Sequence, residues 1–239
     1  MLASKKVAIL QSNYIPWKGY FDLINSVDEF ILYDEMQYTK NDWRNRNKIK
    51  TAQGASWLTI AVRQESLHQK INETFVFDPK WNIKHWRTLA QTYSKAPFFR
   101  DYKDEFESLY SQEGLTNLSQ INYQFIDLIC KLLGIKTKLS WSTDYELGEG
   151  KTERLVKLVK DAGGTEYVSG PAARDYIVAD LFADADVKLS WMDYSEYPEY
   201  QQLGPAPFEH GVSIVDLLFN TGPEAPSYMK SFNLRETQV

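Results

Sequence analysis

The chain has 239 residues, 43% of them hydrophobic and 25% charged, which supplies one sizeable core and excludes a disordered polypeptide. Its 27 Lys and Arg against 32 Asp and Glu leave a net charge of −5, excluding general adhesion to nucleic acid or anionic lipid unless positive charge is concentrated locally. A single cysteine excludes an intrachain disulfide framework, and the three widely spaced histidines, His68, His85 and His210, give no zinc signature.

Residues 1–6 lack the long apolar stretch of a signal peptide or spanning helix, so a cytoplasmic protein without membrane insertion is expected. The apolar run 7–11 breaks at Asn13 and Pro16 and predicts a buried strand ending in a loop. Residues 18–26 carry Phe21, Leu23 and Ile24 at helical spacing, and 29–34 form a second strand-like run. Strand, helix, strand in that order predicts a parallel pair joined by a right-handed crossover. The alternating segments 57–62 and 71–77 read as a hairpin-like pair on an edge. Helical patterns over 81–94, 99–110 and 115–133 predict a helical insertion at about 80–134, punctuated by Pro97 and Gly114. Cys130 stands in its last apolar run and is expected to be a buried, inert thiol. Strands at 138–141, 167–169 and 187–191, a helix at 152–162 ending on Gly163-Gly164, and a closing helix at 212–220 resume the alternation, with fraying from Asn233. The sum is one α/β domain over 1–239, Rossmann-like, with a mostly parallel sheet and the helical insertion.

Ligands of such sheets collect where strands end and helices begin. Gln11, Asn13, Tyr14, Trp17 and Tyr20 occupy the first such junction, and Gly19 would let a ligand approach the backbone. The second junction, 34–49, concentrates Lys40, Arg44, Arg46 and Lys48 in an acidic protein, with Gln37, Asn45 and Asn47 interleaved. In an extended conformation the two arginines share one face, which suits phosphates, and the asparagines share the other, which suits sugar or base edges. The expectation is that Trp17, Tyr20, Asn45 and Arg46 converge on one cleft. Ser169 and Arg174 flank a Ser-Gly-Pro turn able to nest an anion. His85, on the face shared with Trp81, Thr88 and Thr92, and Asp34, at the end of the second strand, are the candidates to handle a proton.

The segments 11–21 (QSNYIPWKGYF), 33–38 (YDEMQY), 45–49 (NRNKI), 167–170 (YVSG) and 213–222 (SIVDLLFNTG) resemble the WbqC-like family, whose members are often encoded with surface-polysaccharide (O-antigen) synthesis genes. Ser12 stands where a family Pro is expected. The resemblance implies transfer of an acyl or aminoacyl group, glycyl among them, onto the amino group of a nucleotide-linked amino sugar. On that reading Arg44, Arg46, Arg174 and Lys40 bind phosphates, Gln11, Asn13, Tyr14, Trp17, Tyr20, Gln37, Asn45, Asn47 and Ser169 hold the substrate, and His85 or Asp34 moves the proton. The donor stays open among an acyl-adenylate made from ATP with Mg, an acyl-CoA and an aminoacyl-tRNA. Residues 11–20 also look like the His-x-Gly-His region of adenylate-forming ligases, but Trp17 and Tyr20 replace both histidines, which argues against adenylation. The rival reading is a non-catalytic nucleotide- or RNA-binding module, for which aromatics among basic residues are suited.

Overall fold

Val7 and Ala8 of the first strand and Phe30, Ile31 and Leu32 of the second are fully buried on both sides, the pattern of strands covered by helices on each face. The computed structural model describes residues 4–236. In chain order its elements are β1 (Lys6–Leu10), α1 (Lys18–Asn25), β2 (Glu29–Leu32), β3 (Arg46–Thr51), β4 (Gly54–Thr59), β5 (Val62–Arg63) and β6 (Phe75–Val76). Three helices follow, α2 (Trp81–Tyr93), α3 (Phe99–Tyr110) and α4 (Leu118–Leu132). The chain then runs through β7 (Lys138–Trp141), α5 (Thr152–Asp161), β8 (Glu166–Ser169), α6 (Ala179–Asp184), β9 (Lys188–Trp191), α7 (Ile214–Thr221) and α8 (Lys230–Glu236).

β7, β2, β1, β8 and β9 lie side by side in that order as one wholly parallel sheet. The chain steps from β1 to β2 to β7 on one side, then returns to lay β8 and β9 on the other, so the order reverses between β1 and β8. Side-chain alternation sorts the sheet's two faces: Ala8, Phe30 and Leu32 join α1, the helices α2 to α4 and α7 in the larger core, while Val7, Ile9 and Ile31 join α5 and Phe182 of α6 in the smaller. The expected α/β class and parallel sheet are therefore observed. Cys130 is buried, and burial pushes its thiol up to about 12, as its apolar neighbours suggested.

Two expectations are corrected. The segment 57–62 pairs mainly with the basic strip: β3 and β4 form an antiparallel hairpin, and only the two-residue β5 meets β6. Charges within β3 hid a strand whose inward side chains, Asn47 and Ile49, are buried. The chain also does not fray at Asn233, which lies within α8; residues 237–239 are outside the described part.

Candidate functional site

Where strand order reverses, the connections leaving β1 and β8 diverge, and a crevice of about 480 Å³ opens at their carboxyl ends. Gln11 after β1, Tyr33 after β2 and Ser169 at the end of β8 border it, and the first turn of α5 brings Lys151 and Arg154 to its rim. Gly150, at φ +80°, makes the turn into α5, and a Cβ there would lie 2.2 Å from the Glu153 carboxylate. No side chain caps α5, so its leading N–H groups and the positive end of its dipole face this neighbourhood. Burial pushes the Tyr33 phenol up, and the Arg154 guanidinium near it opposes that push. Its Nε is buried without an acceptor, and a buried donor left so costs about 1–3 kcal/mol. The crevice thus combines apolar walls with donors that an anionic ligand would satisfy.

A second cavity, of about 340 Å³, lies between Trp17 and Trp43, with Asn13, Pro16, Asn47 and Gly211 completing its walls. Its geometry depends on one strained turn. Ile15 sits at φ +35°, an unfavourable region for a β-branched residue, and Asn47 holds the turn by donating its amide to the carbonyls of Tyr14 (3.1 Å) and Ile15 (3.0 Å). The main chains are stitched as well, since Tyr14 donates to the Trp43 carbonyl at 3.0 Å and Ile214 to that of Pro16 at 2.8 Å. Trp17 folds back over the first turn of α1, where a Cβ on Gly19 would lie 2.3 Å from its indole. Gly19 therefore makes room for the ring of Trp17, which corrects the expectation that it admits a ligand.

Arg44 ties the walls of the two cavities together without lining either. Its guanidinium donates to the Gln11 side-chain oxygen at 3.1 Å and to that of Asn13, so one residue of each wall is held by one cation. Asp42, at 3.7 Å, is its carboxylate partner, and Asn122 fixes its backbone by donating to the Arg44 carbonyl at 2.9 Å. On the other side, Trp17 packs edge-on against Tyr194, whose ring lies beside Gly170 at the crevice.

Apart from Ile9 and Leu10 of β1, the residues that shape both cavities fall within a stretch, 11–228, that matches the WbqC-like protein family. The chain belongs to the WbqC-like protein family. It is 53% identical over 227 residues to an uncharacterized protein of Mycobacterium tuberculosis, Rv1507c, covering 95% of this chain and 98% of that one. No solved structure matches. Among the described residues, no helix is long and apolar enough to cross a membrane.

In this WbqC-like chain Gln11 and Ser169 border the crevice, and Asn13, Trp17 and Asn47 the cleft. The other candidates lie elsewhere. His85 is buried with both ring nitrogens engaged, Nδ1 with the Tyr14 hydroxyl at 2.9 Å and Nε2 with the Thr59 carbonyl at 3.1 Å. Burial lowers it to about 4. Tyr14 also meets the Tyr110 hydroxyl at 2.5 Å. Asp34 accepts from the Ser12 amide (2.7 Å) and hydroxyl (2.6 Å) and from Ser119 (2.5 Å), its pKa raised by burial against those bonds. Tyr20 points into the core and donates to the Gln11 carbonyl, and Asn45 donates to that of Ile60. Arg46 and Lys48 share a face as expected, but it is the face of Trp57, with the Arg46 guanidinium 4.0 Å from the ring centre. Arg44 precedes the strand and turns the other way. Gln37 donates to the Leu67 carbonyl, Lys40 is exposed in a turn, and Arg174 stacks on Trp191 at 5.3 Å. Trp17, Tyr20, Asn45 and Arg46 consequently do not converge on one cleft.

Tyr33, Lys151, Arg154 and Tyr176 of the crevice were missed from sequence. A signal existed in Gly148-Glu149-Gly150-Lys151-Thr152, a glycine turn with a basic residue at the strand-to-helix junction after β7.

Proposed function

We propose that this chain is a Rossmann-like transferase that places an acyl or aminoacyl group on the amino group of a nucleotide-linked amino sugar. The observation that carries the reading is the pair of cavities at the carboxyl edge, bridged by Arg44. Counting only the sheet strands, the order is 3-2-1-4-5, and ligands of such sheets bind at the reversal of order, where the larger crevice lies. Arg154, Lys151 and the α5 amino terminus suit the diphosphate, and Tyr33 with Tyr176 suits the nucleoside. In the reaction the amine nitrogen bonds the acyl carbon, the bond from that carbon to its leaving group breaks, and the amine proton departs to solvent or to the leaving group. With their polar atoms already engaged, His85 and Asp34 are assigned to holding the loops around the site.

Calorimetry with UDP, dTDP and GDP and their hexose conjugates tests the reading. Arg154→Ala is expected to weaken binding roughly ten- to a hundredfold, the loss of charge-assisted bonds worth ~1.5–3 kcal/mol. Failure of the wild type to bind any of them would sink the proposal. Turnover is then assayed on the conjugate that binds, as its amino-sugar form, with acyl-CoA, ATP-Mg plus amino acid, or aminoacyl-tRNA as donor. The exposed Trp43–Trp57 pair, 5.4 Å apart beside Arg46 and Lys48, is what favours the rival RNA-binding reading. Binding to oligonucleotides that falls steeply with salt would select it.

A further inference from the structure

We propose that the cleft between Trp17 and Trp43 is the sugar subsite, packing the apolar face of a hexose ring against indole while Asn13 reaches its hydroxyl edge. The inference rests on the nucleotide-linked substrate proposed above and concerns where its two halves lie.

Three observations assign them. The first is size: the crevice is about 480 Å³ and the cleft about 340 Å³, so the bulkier nucleoside falls to the crevice and the hexose to the cleft. The second is preorganisation. Trp17 is clamped edge-on by Tyr194 (5.2 Å) and Tyr197 (5.9 Å), and Trp43 lies against Trp57, itself covered by Arg46. Trp43 keeps 40% of its surface exposed, so its ring is held from behind yet open to a ligand on the cleft side. The C–H face of a pyranose carries slight positive charge and matches the negative face of an indole, while its hydroxyls need amide and guanidinium partners at the rim. The third is the placement of polar groups. Asn47 is saturated by the Tyr14 and Ile15 carbonyls and the Lys48 amide. Asn13 gives only its oxygen to Arg44, and among the described residues its amide nitrogen has no acceptor, so it can donate to a hydroxyl. Arg44 ties Asn13 of the cleft to Gln11 of the crevice, so the two subsites are held in a fixed relation.

The test compares free nucleoside diphosphates with their hexose conjugates on three proteins. UDP, dTDP and GDP, each alone and as its glucose or mannose conjugate, are titrated by calorimetry into wild type, Trp43→Ala and Trp43→Phe. Trp43 is exposed, so both variants should fold, which circular dichroism checks. The subsite predicts that Trp43→Ala weakens the conjugate about tenfold while free diphosphate stays within about twofold, and that Trp43→Phe recovers most of the loss. Equal weakening of diphosphate and conjugate would put the base in the cleft and overturn the inference. Unchanged binding of both would overturn it too, leaving the nucleotide reading intact. No binding of any of these probes to wild type would remove the proposed function and this subsite with it.

Discussion

The two edges of the parallel sheet carry similar residue types and treat them differently. At the amino edge, Glu29 is fully buried and accepts from Lys5 (2.7 Å), Ser140 (2.6 Å) and Tyr145, with Lys138 at 3.0 Å. Glu166 nearby takes Ser190 at 2.7 Å and Lys188 at 3.3 Å. At the carboxyl edge, Arg154 keeps a buried Nε without an acceptor, and Arg44 shares its guanidinium between two side-chain amides. Saturated charge fastens a structure, whereas donors left over beside a cavity can meet a ligand.

Glu29→Ala gives the largest expected effect. Removing the buried carboxylate strands the Ser140 and Tyr145 hydroxyls while Lys5 and Lys138 reach water, so the loss is expected at the lower end of the ~3–5 kcal/mol that breaking a buried pair costs. Urea unfolding should show that loss with ligand affinity unchanged; a drop in nucleotide-sugar affinity without lost stability would erase the distinction between the edges.

Acid titration separates two buried groups by pH window. Burial works to raise Glu29, but its hydrogen bonds outweigh it and hold the carboxyl at about 2, below its ordinary 4.5. Its stabilisation is therefore present above pH ~4.5 and lost as pH falls towards 2, worth about 3 kcal/mol in full. His85, lowered from 6.5 to about 4 by burial, is neutral in the folded state. Its contribution is present above pH ~6.5 and lost as pH falls from there to about 4, a similar size. Urea midpoints against pH should lose the upper window in His85→Gln and the lower one in Glu29→Gln. An unchanged upper window in His85→Gln would show that the histidine is not held neutral.

Asn47→Ala is expected to cost about 2–3 kcal/mol, because the Tyr14 and Ile15 carbonyls lose their donor around a strained residue. For a chain of this size that lowers the melting temperature by about 4–12 °C, measurable by calorimetry. Normal stability with altered sugar preference would instead return Asn47 to the role its alternation in the strip suggested.

The fold was legible because its signals are short-range and strong: fully apolar strands, helical spacing in 81–133 and glycine at the ends of helices. The junction loops were legible as places, since Gln11, Asn13, Trp17 and Ser169 do border cavities. What each side chain does there was not. A polar residue beside a turn can face ligand or carbonyl, and Asn45, Asn47 and His85 face carbonyls contributed by Ile60, by Tyr14 and Ile15, and by Thr59. Arg154 shows the converse, for it reads as an ordinary amphipathic-helix residue until the sheet places the first turn of α5 beside β1 and β8.

Arg44 and Arg46 offer the smallest and most direct comparison, two arginines two residues apart with different surroundings. Arg44 precedes the strand and bridges Gln11 and Asn13, so Arg44→Ala should weaken nucleotide-sugar binding about tenfold, or ~1.4 kcal/mol. Lys at that position keeps the charge but not the fork that reaches two oxygens, so it should recover only part of the loss. Arg46 lies on the far face, stacked on Trp57 and bonded to the Asn41 carbonyl, so Arg46→Ala should change affinity less than about threefold. Calorimetry on the two alanine variants with one hexose conjugate decides the matter. A larger loss at Arg46 than at Arg44 would move the phosphates to the outer face of the hairpin and break the link drawn between crevice and cleft.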